Sequence, residues 1–342
     1  MLANNLRALV VRKPRFLERL RPVLQRLPGP LFVVVHVTLR CNRGCPDCYQ
    51  QHDAFFRRHP GNMSLADFTA VLDNIMAFRF YRAHIHLMGG EPTFHPDFGA
   101  IVKAVRSRGA SVTLTTNGVL LRQHARSLLN PGVKEMNVSV PLDARGDIAS
   151  DFRDSLDGYL AAGQAAGGRR PRLNLNLVIS PATSPFIEQT AGFFRDRYPK
   201  GTFATFTLEH LEFERAARER MRVGLIDLKA LTLQAERIRA GQWPFRILWA
   251  PRIRPADYER YYRSDDLFRH TCIVPWTGLA VYPDLAVTAG GAIFACNQIL
   301  GFLKEQSLRQ VWQGRHLRDF RERLSSEGLP AACFRCCHKF YY

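Results

Sequence analysis

The chain has 342 residues, 46% apolar and 23% charged, which is enough to bury one large core or two unequal ones and too apolar for a disordered chain. The longest apolar run, Leu31 to Val37, is broken by His36, so nothing approaches the roughly 18 consecutive apolar residues of a membrane span. The formal charge of +18, from 48 Lys and Arg against 30 Asp and Glu, favours an anionic partner such as a membrane surface or an acidic small molecule. The basic residues are mostly Arg scattered through helical stretches, with no Lys-rich tail and no aromatic–basic interleaving, so no specific nucleic acid is expected.

Residues 1–30 open the chain as a basic amphipathic segment. Leu2, Leu6, Leu9 and Val10, then Phe16, Leu17, Leu20 and Leu24, recur at helical spacing with Arg between them. Such a segment packs on the outside of the main domain or rests on an anionic membrane surface. It lacks a continuous apolar stretch and a cleavage site, and Pro14 and Pro22 interrupt it, so export is not expected and the chain is placed in the cytoplasm.

From Leu31 strands alternate with helices. Apolar, β-branched stretches at 32–38, 84–88, 111–115, 135–140, 172–179 and 202–209 are separated by helical periodicity near 64–79, 96–109, 119–130, 150–166 and 185–197. Serial β-α units give a parallel sheet, and six are too few for a closed eight-stranded barrel. The fold class is therefore α/β, a partial (βα)6 TIM-like barrel over 31–211. The β-α rhythm stops in the charged stretch after Glu212, so 212–271 reads as a helical linker or insert. Residues 272–342 read as a small α+β domain: Leu279–Asp284 and the segment from Gly290 form a hairpin, a helix runs from about Ser307 to Leu324, and Cys333-Phe-Arg-Cys336-Cys337 closes the module.

The eight cysteines fall in two groups, Cys41/Cys45/Cys48 and Cys272/Cys296/Cys333/Cys336/Cys337, with none between them. A disulfide framework belongs to small secreted domains, whereas clustered cysteines in a reduced compartment point to metal. Cys41-Asn-Arg-Gly-Cys45-Pro-Asp-Cys48 places three thiols on the loop after the first strand. Thiolates are the ligands of iron–sulfur clusters, and with three of them one iron of a four-iron cube is left to a non-protein ligand. Structural zinc usually takes four protein ligands and suits this spacing poorly.

This C-x3-C-x2-C loop resembles the signature of the radical S-adenosylmethionine (radical SAM) superfamily, and the motifs that follow keep that family's order. Gly89-Gly90-Glu91-Pro92 ends the second strand like the family's GGEP motif, Thr115-Thr116-Asn117-Gly118 ends the third, and Ser139 lies on the fourth. The resemblance implies a [4Fe-4S] cluster on Cys41, Cys45 and Cys48, with SAM chelating its fourth iron and contacted by Gly89, Gly90, Glu91, Thr116, Asn117 and Ser139. It also implies reductive cleavage of SAM to methionine and a 5′-deoxyadenosyl radical that abstracts a substrate hydrogen, fed by a flavodoxin, ferredoxin or similar reductase. Asp47 stands where the family often has an aromatic residue, and Tyr49 follows the third cysteine.

The later cysteines, with Gly291-x4-Cys296, resemble the SPASM and twitch extensions of radical SAM enzymes. That resemblance implies an auxiliary [4Fe-4S] cluster on Cys272, Cys296, Cys333 and Cys336, with Cys337 as the alternative to Cys336, and a role in electron transfer. The expected function is an oxidoreductase or epimerase of a biosynthetic metabolite. The alternative is a maturase of a ribosomal peptide, against which stands a 30-residue head too short for the leader-binding domain such maturases often carry. His86, Asp143, Glu209 and His210 fall at or near strand C-termini, where a barrel places bases and hydrogen donors, but the pattern assigns none of them a catalytic role.

Overall fold

The structure is a computed structural model that describes residues 21–46, 48, 50, 61–78, 83–143, 145–210, 223–250, 252–263, 272–289 and 298–327. Most of the N-terminal segment, the end of the expected hairpin with Cys296, and Cys333, Cys336 and Cys337 lie outside these residues.

Six strands form where alternating apolar residues predict them: β1 (Phe32–Thr38), β2 (His84–Gly89), β3 (Val112–Thr116), β4 (Val133–Ser139), β5 (Arg172–Ile179) and β6 (Thr205–His210). They pair in sequence order, all parallel. The crossovers carry α1 (Leu65–Met76), α2 (Phe98–Ser107), α3 (Ala125–Leu128), α4 (Ser150–Ala165) and α5 (Ile187–Arg197). In α1 the Ser64 side chain accepts the Asp67 N–H at 3.0 Å, and the helix buries Phe68, Val71, Leu72 and Ile75 along one face. The expected helix over 119–130 shrinks to the single turn of α3.

A parallel sheet covered on both sides has strands that read as unbroken apolar runs. Here β5 alternates Leu173-Asn174-Leu175-Asn176-Leu177, and the leucines are buried in the core under the helices. Val33, Val35 and Val37 of β1 and Phe206 and Leu208 of β6 do the same. The opposite face forms the inner face of the partial barrel; it is polar along β4, β5 and β6 and carries a small apolar cluster of Val34, Ala280, Tyr282 and Ala286 beside β1.

Two features extend this sheet. The stretch 212–271, read from sequence as a helical linker, holds α6 (Leu228–Ala240), α7 (Tyr258–Arg263) and a strand between them, β7 (Arg246–Ala250), parallel to β6 with Thr205 opposite Arg246 and Glu209 opposite Ala250. The β-α rhythm thus continues one step beyond the expected boundary. β7 is short and has one β-branched residue, so its own signal is weak, and pairing with β6 and packing of Ile247 and Trp249 on the core decide its state.

The C-terminal part also joins the sheet. β8 (Gly278–Val281) runs parallel to β1 on its free side, with Val34 opposite Ala280. β9 (Ala286–Thr288) and β10 (Ile299–Phe302) follow antiparallel, giving a ten-stranded sheet in the order β10-β9-β8-β1-β2-β3-β4-β5-β6-β7. The β8–β9 turn falls at Pro283 and Asp284 as expected, but its returning strand begins at Ala286, ahead of the glycine pair. Asp284 accepts the Ala286 N–H at 3.1 Å, and Leu285 takes the left-handed conformation (φ 69°) that closes the loop. The helix expected over 307–324 is two, α8 (Leu308–Gln313) and α9 (Arg315–Ser326), parted at Gly314. Among the described residues no helix is long and apolar enough to cross a membrane.

Candidate active site

The loop that carries Cys41, Cys45 and Cys48 leaves the C-terminal end of β1 and is pinned at several points. Thr38 Oγ1 donates to Asn62 Oδ1 at 2.6 Å and accepts the Arg40 N–H at 3.0 Å. Arg43 Nη2 donates to both carboxylate oxygens of Asp151 at the start of α4, at 2.6 and 2.7 Å. Gln50 donates to the Gly89 carbonyl at 2.6 Å. The thiols of Cys41 and Cys45 are exposed and that of Cys48 is partly covered.

Gly89 and Gly90 lie directly against this loop. Gly90 N–H donates to Thr38 O and Glu91 N–H to Arg40 O, both at 2.9 Å. A Cβ at Gly89 would run into the Thr38 carbonyl oxygen, and one at Gly90 into that of Arg40. The glycine pair is therefore required for backbone to cross backbone, which brings the end of β2 under the cysteines.

Glu91 is fully buried. Its Oε1 accepts from Thr93 N at 3.0 Å, Thr93 Oγ1 at 2.5 Å and Thr116 Oγ1 at 2.8 Å, and its Oε2 accepts from Asn117 N at 2.6 Å. Loss of water pushes the carboxyl above its ordinary range, and the bonds donated by Asn117, Thr93 and Thr116 pull the other way. Glu91 thus ties the end of β2 to the end of β3. Asn117 continues the link outward: its Nδ2 donates to Asn42 Oδ1 at 2.8 Å and reaches Cys41 Sγ at 3.8 Å, while its Oδ1 accepts the Val119 N–H at 3.1 Å. Cys41 Sγ also accepts the Arg43 N–H at 3.4 Å.

The structure brings Gly89, Gly90, Glu91, Thr116, Asn117 and Cys41 into one bonded unit. Ser139, at the end of β4, stands apart from it, half-buried on the inner face. Cys272 is buried, and its carbonyl accepts from Arg21 Nη2 at 3.5 Å; the other four cysteines of its group lie outside the described residues. Among the described residues no three Cys, His, Asp or Glu side chains converge closely enough to hold a single metal ion. Three thiols on one pinned loop, with Cys41 Sγ accepting from Arg43 N and Asn117 Nδ2, are the donor chemistry an iron–sulfur cluster takes.

The strand-end residues divide. Glu209 is half-buried on the inner face, and loss of water pushes its carboxyl up to about 7. His86 is on the same face, its Nε2 2.7 Å from Thr115 Oγ1. His210 points the other way, because consecutive strand residues face opposite sides. Trp249, Tyr258, Tyr261 and Tyr262 enclose its ring, its Nδ1 lies 2.5 Å from the Tyr262 hydroxyl, and burial lowers its pKa to about 3. Asp143 accepts the N–H groups of Arg145 and Asp147 at 2.8 and 3.0 Å and serves its turn. Sequence reasoning missed Asn42, Gln50, Thr93 and Asp151; nothing in their spacing marks them, since each acts through a partner distant in the chain or through backbone.

Residues 35–141 match the model of the radical SAM superfamily, and residues 272–337 match that of the SPASM iron–sulfur cluster-binding domain. An S-adenosylmethionine-dependent nucleotide dehydratase of Selenomonas ruminantium is 30% identical over 114 residues, 33% of this chain and 37% of the relative. A GTP 3′,8-cyclase of Rhodopirellula baltica is 33% identical over 108 residues, 31% of this chain and 30% of that protein. The chain thus aligns with about a third of the length of these curated relatives. Among solved structures, SuiB of Streptococcus suis bound to S-adenosylmethionine superposes with a TM-score of 0.62 at 16% identity, covering 89% of this chain and 70% of SuiB. At that identity the likeness is one of fold.

Proposed function

The chain belongs to the radical SAM superfamily and carries a C-terminal SPASM domain, and from that premise we propose that it is an oxidoreductase acting on a polar biosynthetic metabolite. When bound, the cluster and SAM supply a 5′-deoxyadenosyl radical able to take a hydrogen atom from unactivated carbon. Cys41, Cys45 and Cys48 hold the cluster on a loop fixed by Thr38, Arg43 and Gln50. Gly89, Gly90, Glu91, Thr116, Asn117 and Ser139 form the cradle for SAM, in which Glu91 fixes the relation of β2 to β3. Cys272 with Cys296, Cys333 and Cys336 or Cys337 would hold an auxiliary cluster, which would supply electron transfer, and a flavodoxin or ferredoxin would serve as electron donor.

The observation that carries the metabolite reading is the inner face. Asn176, Thr207 and Glu209 follow one another on β5 and β6 above a self-bonded layer of Asn137, Asn174 and Thr205, a surface suited to a hydroxyl-bearing ligand. A second reading, maturation of a ribosomal peptide, draws on the likeness to SuiB, which has also been solved with its precursor peptide SuiA. The test is anaerobic reconstitution with iron and sulfide analysis, followed by turnover with SAM and candidate metabolites. Two clusters, about eight irons per chain, and an oxidised product formed with one 5′-deoxyadenosine per turnover are expected. Turnover confined to a precursor peptide would overturn the metabolite reading.

A further inference from the structure

The polar side chains of β4, β5 and β6 form two layers of different character on the inner face. In the layer nearer the strand N-termini, Asn174 Nδ2 donates to Glu135 Oε1 at 2.5 Å and to Asn137 Oδ1 at 3.0 Å, and Thr205 Oγ1 donates to Asn174 Oδ1 at 2.9 Å. That layer is closed on itself. Two residues further along, toward the strand ends that carry the cysteine loop, Asn176 stands opposite Thr207, and beyond it Val178 stands opposite Glu209.

Asn176, Thr207 and Glu209 are each half-buried, and none of the three side chains makes a hydrogen bond or ion pair with a described residue. Glu209 is flanked in register by Val178 and Ala250, so its strand neighbours offer it no cation. Arg246, on the same face of β7, lies at the far end of the sheet, opposite Thr205. Half-buried polar groups with no protein partner are left to water or to a ligand that supplies the partner. Partial burial pushes the Glu209 carboxyl up to about 7.

We propose that Asn176, Thr207 and Glu209 form a substrate subsite that receives a primary ammonium group, with Glu209 as its counter-ion and Asn176 and Thr207 bonding the hydrogen-bonding groups beside it. Ionised Glu209 only accepts, so a donating cation makes the charge-assisted bond that a neutral hydroxyl makes more weakly. The amide and the hydroxyl both donate and accept, so they suit hydroxyls or amides adjoining the amine. The inference rests on the proposed enzyme function and adds the substrate's chemical class. The ammonium has two sources, a free amino-polyol or a lysine side chain of a peptide.

The test is anaerobic calorimetric titration of the reconstituted, SAM-bound enzyme at pH 7 with two probe pairs: glucosamine against glucose, and a lysine-containing tetrapeptide against its norleucine counterpart. Wild type should bind the ammonium member of one pair at least tenfold more tightly than its neutral partner, and the pair that responds identifies the source. Glu209→Gln should abolish that preference and Glu209→Asp should keep it; matching circular dichroism spectra establish that both variants are folded. Equal binding within both pairs by wild type overturns the subsite, as does a preference that survives in Glu209→Gln. Cleavage of SAM by wild type, measured on the same preparation, bears on the enzyme reading alone.

Discussion

Asn117 donates its backbone N–H to the buried Glu91 carboxylate at 2.6 Å while its side-chain amide reaches the cysteine loop, so one residue couples the end of β2 to the Cys41 thiol. Asn117→Ala keeps the first bond and loses the contacts to Asn42 and Cys41 Sγ. Outer-shell partners of metal ligands typically contribute about 10- to 100-fold to affinity or activity. The expected outcome is a comparable fall in SAM cleavage, with the potential of the SAM cluster lowered because an N–H···S bond is gone. Redox titration followed by electron paramagnetic resonance checks the potential; an unchanged potential contradicts the contact.

Glu91→Gln places an amide where four donors meet a carboxylate. At least one donor loses its acceptor in a fully buried setting, which costs about 1–3 kcal/mol. Urea denaturation should show a lower midpoint at unchanged slope.

Glu209 makes native stability depend on pH. Its carboxyl titrates near 4.5 when unfolded and near 7 when folded, so between these values the native state holds a proton the unfolded chain has lost. Stability therefore falls as pH rises through this window, by an amount on the order of 2–3 kcal/mol, and levels off above it. Glu209→Gln should match wild type at pH 4 and exceed it in stability at pH 8. A constant gap between the two pH values would show that the carboxyl is not deprived of water.

Replacing Cys272 and Cys296 together by Ala removes two of the ligands proposed for the auxiliary cluster. Slow cleavage of SAM without substrate should persist, and product formation should fall much further, although loss of a bound metal also lowers stability. If product turnover were unchanged in a variant shown to lack the second cluster, electron transfer through it would be wrong.

The sequence made the strands legible because Val33, Val35 and Val37, or Leu173, Leu175 and Leu177, alternate with residues that do not enter the core. The same period tells Glu209 from His210 once the register is known; sequence alone shows two adjacent polar residues at a strand end. β7 stayed hidden because Arg246-Ile-Leu-Trp-Ala250 is too short to carry a pattern and becomes a strand by pairing with β6. The cysteines and Gly89-Gly90-Glu91 were readable as motifs, since their chemistry lies in local spacing. The bracing of Glu91 by Thr93, Thr116 and Asn117 was not, because which side chains share a buried carboxylate depends on how two strand ends meet.

The loop after β1 is proposed to carry the catalytic centre. The most direct measurement is 5′-deoxyadenosine released from SAM by the anaerobically reconstituted, dithionite-reduced chain, wild type beside a variant with Cys41, Cys45 and Cys48 all replaced by Ala. Wild type should release 5′-deoxyadenosine and methionine in equal amounts, and the variant should release none while keeping the absorbance of the second cluster. Cleavage that persists in the variant, or is absent from wild type with its full iron content, contradicts the account.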